Sequence, residues 1–205
     1  MEARNSVPDI DVVLLEVRKA YRLLYTYQRR VMDIMEFVAD QTSRRYAGGW
    51  SKFSASSPKD GKGSLDQTWA WDWLNMYCYE FWFGEKIIDG NNISFSVWLV
   101  SDTGFYDTAS EDALDISKFN VVEDSITKLV FVVGRNTWHS GFETFESILK
   151  KNMEKYINTD EKGCLLAKSF NLSFFTNFDH SRACLKEFII FCHKNGIPEI
   201  SILPD

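Results

Sequence analysis

The sequence predicts an α+β protein of one domain, residues 1–205, in which a long N-terminal helix packs on a mainly antiparallel sheet of about four to five strands, with two further helices. Three observations predict it. Between Ile10 and Val38 large or apolar residues recur at alternating spacings of four and three. From Trp69 to Phe83 every odd position except Asn75 is aromatic. Asp89-Gly90-Asn91-Asn92 then joins that run to a second alternating one at Ile93, Phe95, Val97 and Leu99.

The N-terminal pattern, Ile10, Leu14, Val17, Tyr21, Leu24, Gln28, Val31, Met35 and Val38, is a heptad seam broken only by Gln28. A second ridge at Val13, Ala20, Tyr27 and Ile34 widens it, so the helix requires a broad apolar partner, and the aromatic strand is the natural one. Pro8 and Asp9 mark its start, and Gly48-Gly49 lies beyond its end. The segment 43–67 is rich in Ser, Gly and Lys and reads as a long basic surface loop, a usual place for binding. Arg44, Arg45, Trp50, Lys52, Lys59 and Lys62 are its candidate partner-binding residues. Tyr46 and Phe53, with Trp50, are either partner anchors or tacks that hold the loop to the core.

The aromatic run predicts one long strand, bent or bulged near Asn75, whose aromatic face is covered by a helix or a partner. After the hairpin come a strand near 126–133, a helix at about 142–156, a strand at 165–175 and a helix at 180–194 capped by Asp179 and ended by Gly196 and Pro198. Ile200 and Ile202 suit a short last strand. Cys184, Phe188 and Cys192 share a face of the last helix, as small core residues do.

A formal charge of −6 argues against a chain whose main task is coating nucleic acid. No stretch has the ~18 uninterrupted apolar residues of a membrane span, and residues 2–11 lack a signal-peptide core, so the chain reads as soluble and cytoplasmic. Cys78, Cys164, Cys184 and Cys192 form no CxxC pair and read as reduced structural thiols. His139, His180 and His193 form no HxH or HExxH pair; no metal site and no cofactor is expected. In Asp60-Gly61-Lys62-Gly63-Ser64 the Lys-Ser pair of a phosphate loop is interrupted by Gly63. The acidic run from Asp102 to Asp124 matches no calcium loop and reads as a solvated face or a docking surface for a basic partner.

The order helix, three-stranded meander, helix, strand resembles the core of the PD-(D/E)xK nuclease superfamily. That resemblance implies a divalent metal held by Asp102, with Asp124 and Lys128 completing the catalytic group. The position two before Lys128 is Ile126, which cannot bind metal, so the pattern is incomplete. Asp102-Thr103-Gly104 with Val132-Val133-Gly134 is similar to the paired elements of retroviral-type aspartic proteases, although only about thirty residues separate them, too few for the intervening flap. With no complete catalytic set, the expected function is a non-catalytic protein-interaction module that self-associates or joins a larger assembly. The alternative is a metal-dependent enzyme acting on nucleic acid.

Overall fold

A computed structural model describes residues 9–55, 57, 69–74, 76–107, 115–138, 147–149, 153–161 and 163–204. Helix α1 spans Ile10–Gln41 and is 32 residues long, its first turn capped by the Asp9 carboxylate, which accepts from the Asp11 N–H at 3.1 Å. Six strands follow: β1 Gly48–Ser51, β2 Cys78–Ile88, β3 Asn91–Val100, β4 Lys128–Arg135, β5 Lys155–Thr159 and β6 Cys164–Asn171. They form one sheet in the order β1-β2-β3-β4-β6-β5, antiparallel at every pairing. Residues 147–149 are helical, and helix α2 spans Phe178–Lys194. The α+β class, the long first helix and the two later helices are as expected. The sheet has six strands because Gly48–Ser51, inside the expected loop, and Lys155–Thr159, which begins at the end of the expected helix and runs past it, both pair at its edges.

The aromatic run is not one strand. Residues Ala70–Trp73 form a 3-10 turn in which the buried Asp72 carboxylate accepts from the Trp69 N–H at 2.9 Å, and β2 begins only at Cys78. Asn75 lies outside the described residues. The bulge falls further on, between Trp82 and Glu85, where Gly84 adopts φ +73°. The two aromatic sets therefore serve different layers. Phe81 and Phe83 join Phe95, Phe131, Val97 and Leu129 in the core beneath α1 and α2. Trp71 and Tyr77 join Phe53, Phe105 and Phe119 on the opposite face, where Trp98, Val130, Ile148 and Leu149 also lie.

The hairpin turns at Asp89-Gly90, both at positive φ, as its sequence requires. Helix α2 starts two residues earlier than expected and is capped by Asn177, whose side chain accepts from the His180 N–H at 2.9 Å; Asp179 sits in the first turn, where its charge suits the helix dipole. Cys184, Phe188 and Cys192 are buried together, and all four cysteines are free thiols. Ile200 is buried and Ile202 half-buried, but residues 201–204 pair with no strand; the Leu203 N–H instead donates to the Gln41 carbonyl at 2.7 Å, tying the C-terminal segment to the end of α1.

Candidate interaction surface

Helix α1 meets the sheet only with its C-terminal part. Docking begins at Tyr27, whose hydroxyl lies 3.0 Å from Ser101 Oγ, and at Arg30, which donates to the Phe175 carbonyl at 2.6 Å. Val31, Ile34, Met35 and Val38 are then buried against Phe81, Phe83 and the core beyond. Phe37 packs edge-on against Phe178 at 5.4 Å.

Ahead of Tyr27 the same stripe runs on with nothing over it among the described residues. Ile10, Leu14, Val17, Tyr21 and Leu24 are all exposed, Tyr21 to 71% and Ile10 to 64%, although their spacing continues that of Val31, Met35 and Val38. Val13 flanks the stripe, while Val12, Leu15 and Leu23 are exposed on the other side of the helix. At 1.5 Å per residue, the projecting arm from Ile10 to Leu24 is about 22 Å long. Isolated exposed apolar side chains are ordinary on protein surfaces, but a contiguous stripe on a projecting helix is not.

The stripe leads into a groove of about 950 Å³ between α1 and the β1–β2 edge of the sheet. Tyr25, Met32 and Ala39 line its helix side, and Tyr46, Met76, Tyr79 and Phe81 its sheet side. Tyr46 Oη and Tyr79 Oη lie 3.2 Å apart at its rim, and burial pushes the Tyr79 hydroxyl up to about 12. Charge along the arm is segregated. Asp9, Asp11 and Glu16 occupy the N-terminal end, and Arg18, Lys19 and Arg22 follow. Lys19 reaches Glu16 at 2.8 Å, whereas Asp11 and Arg18 enter no ion pair among the described residues.

The basic loop is less available than its composition suggests. Arg44 is buried, and its guanidinium donates to the Gly84 carbonyl at 3.1 Å and to the Ile93 carbonyl at 3.2 Å while lying over the Phe95 ring. Burial lowers its pKa to about 10. Arg44 is thus a structural cation that satisfies carbonyls at the bulge, not a surface residue. Lys52 is held by Glu80 at 2.5 Å, and Phe53 tacks the loop to Trp69, Trp71, Tyr77 and Phe105. Trp50 is exposed but packs against Trp82, on the face of the sheet away from the groove. Arg45 is exposed. Lys59 and Lys62 lie outside the described residues, as do the fragment at 60–64, residues 108–114 of the acidic run with Glu111 and Asp112, and His139.

The residues of the nuclease pattern are differently employed. Asp102 Oδ1 accepts from the Gly104 N–H at 2.7 Å, and Thr103 Oγ1 accepts from the Ile126 N–H at 3.0 Å, so Asp102-Thr103-Gly104 closes a turn against the start of β4. A Cβ on Gly104 would meet Ser125 Oγ at 2.8 Å, which accounts for the glycine. Asp124 is exposed in a 3-10 turn. Among the described residues, no three His, Cys, Asp or Glu side chains are placed to share a metal ion.

Lys128, 1% exposed, points to the same sheet face as Cys78. Burial lowers its pKa to about 8, with the neighbouring Cys78 acting the other way. Its folded pKa lies below the value in the unfolded chain, so the unfolded state binds more protons from pH 8 upward and stability rises with pH there. Above about pH 9 the buried Cys78 thiol, pushed up to about 12, opposes this by holding its proton in the folded state. Lys128→Met is expected to flatten the rise in stability between pH 8 and 9. Urea titrations at pH 7, 8 and 9 measure the slope; a variant that keeps the native slope would mean that another group titrates there.

The fold and surface define a class: a single-sheet α+β protein carrying a projecting amphipathic helix and an apolar groove at its root. The chain belongs to the PM0109 family, whose pattern it matches over residues 7–197, from just before α1 to just past α2. No curated protein and no solved structure matches it. No helix among the described residues is long and apolar enough to cross a membrane.

Proposed function

We propose that this chain is a non-catalytic protein-interaction module that self-associates through the α1 arm. The observation that carries the reading is the continuity of one stripe: its C-terminal part is core of the domain, and its N-terminal part has the same residue types at the same spacing and lies open. A partner helix of matching pattern satisfies that stripe as the sheet satisfies the rest. The apolar groove at the root of the arm extends the surface toward the area that a stable interface requires, on the order of 800 Å² on each side. Four buried free thiols fit a protein working in a reducing compartment, which supports a cytoplasmic setting.

Light scattering during size-exclusion chromatography tests the reading. The native chain should elute as a multimer, and Leu14→Asp with Val17→Asp should return it to the monomer mass while keeping a folded far-UV circular dichroism spectrum and a cooperative melt. A native monomer at the highest soluble concentration, or a multimer indifferent to these substitutions, would sink it.

A further inference from the structure

We infer that the occupant of the arm is the α1 arm of a second copy, running antiparallel in a single register that sets Leu14 opposite the second copy's Val17 and Ile10 opposite its Tyr21. The inference rests on the self-association proposed above and adds polarity and register to it.

The polarity follows from what covers the rest of the stripe. From Tyr27 onward the seam is occupied by the chain's own sheet. A parallel, in-register pair would bring the second copy's Val31, Ile34 and Val38, and the sheet packed on them, to the place the first sheet already holds. An antiparallel pair avoids this. Each arm then begins where the other enters its own domain, and the two sheets lie at opposite ends of the paired segment.

The register follows from charge. With Leu14, Tyr21 and Gln28 at heptad position a and Ile10, Val17, Leu24 and Val31 at d, the e positions are Asp11, Arg18 and Tyr25, and the g positions are Val13, Ala20 and Tyr27. In an antiparallel pair e residues flank e residues and g residues flank g. The register above places Asp11 beside the second copy's Arg18, twice by symmetry, and Val13 beside its Ala20. Sliding by one heptad in either direction sets Asp11 against Asp11 or Arg18 against Arg18, both repulsive. In a parallel pair the flanking contacts run from Val13 to Arg18 and from Ala20 to Tyr25, and no charges complement. Asp11 and Arg18 are exposed and enter no ion pair among the described residues, so both are available to the second copy.

Cysteine crosslinking and charge reversal on the full chain read the geometry directly, since the four native thiols are buried. Under mild oxidation a mixture of Ile10→Cys and Tyr21→Cys chains should give a mixed disulfide dimer, while Ile10→Cys alone should give none, its two copies being about 16 Å apart along the antiparallel pair. Asp11→Arg should weaken the dimer about tenfold, and Asp11→Arg combined with Arg18→Asp should restore it. A disulfide dimer of Ile10→Cys alone would overturn the antiparallel inference and leave self-association standing. A dimer that gives no mixed disulfide and ignores both charge variants would overturn the register, and a native monomer would remove the self-association reading beneath it.

Discussion

Val31→Asp is expected to unfold the protein, whereas Leu24→Asp, one heptad earlier on the same stripe, should leave it folded. Val31 is 0% exposed, in contact with the core beneath α1, and a carboxylate there has neither water nor a partner. The loss is about 4 kcal/mol or more, against a total stability of roughly 5–15 kcal/mol for a domain of ordinary size. Leu24 has no such cover, and a charge there meets solvent in the monomer. Far-UV circular dichroism and thermal melting of the two variants provide the comparison. Equal destabilisation would mean that the arm is packed on the domain rather than projecting from it. Read with the masses in solution, the pair also separates the two roles of one stripe: Leu24→Asp should lower the multimer population without lowering the melting temperature of the monomer.

Lys52→Met is the second large effect. The Glu80 carboxylate, 1% exposed, lies 2.5 Å from Lys52 Nζ, which also sits 5.2 Å from the Trp98 ring. Removing the cation takes the 2.5 Å counter-charge away from a buried anion, at a cost of about 3 kcal/mol in unfolding free energy. The double replacement Lys52→Met with Glu80→Leu should recover most of that loss, because it removes the charge along with its partner. A urea-denaturation double-mutant cycle measures the coupling. If Lys52→Met alone were silent, Glu80 would be held by its other contacts and the ion pair would be incidental. This cycle reports on the basic loop as well, since Lys52 is one of the cations that composition alone assigns to partner binding.

How much of this was legible in the sequence depends on the range of the signal. The heptad of α1, the Asp89-Gly90 hairpin and the shared face of Cys184, Phe188 and Cys192 are local periodicities, and each appears where the pattern places it. Strand β1 was hidden because Gly48-Gly49 reads as loop; a Cβ on Gly49 would meet the Glu80 carbonyl at 2.0 Å, so glycine there permits the close approach of β1 to β2. Strand β5 was hidden because an edge strand exposed along most of its length has little apolar alternation to reveal it. The aromatic run misled by keeping period two through a 3-10 turn: Trp69, Trp71 and Trp73 alternate with small or polar residues there, where the same spacing arises without a strand.

For the candidate site the division is sharper. The sequence by itself determined that α1 carries one wide apolar stripe with acid at its start and base further on, because residue spacing alone sets which side chains share a helix face. Only the tertiary structure decided which part of that stripe is core and which is surface. A helix of 32 residues is about 48 Å long, and the sheet meets it only from Tyr27 onward. Nothing in a repeating pattern records where its cover ends, and the same physics assigned the cations: Arg44 and Lys52 look alike in composition to Arg45, but buried carbonyls and a buried carboxylate, placed by chain segments far away in sequence, drew two of them inward and left the third in solvent.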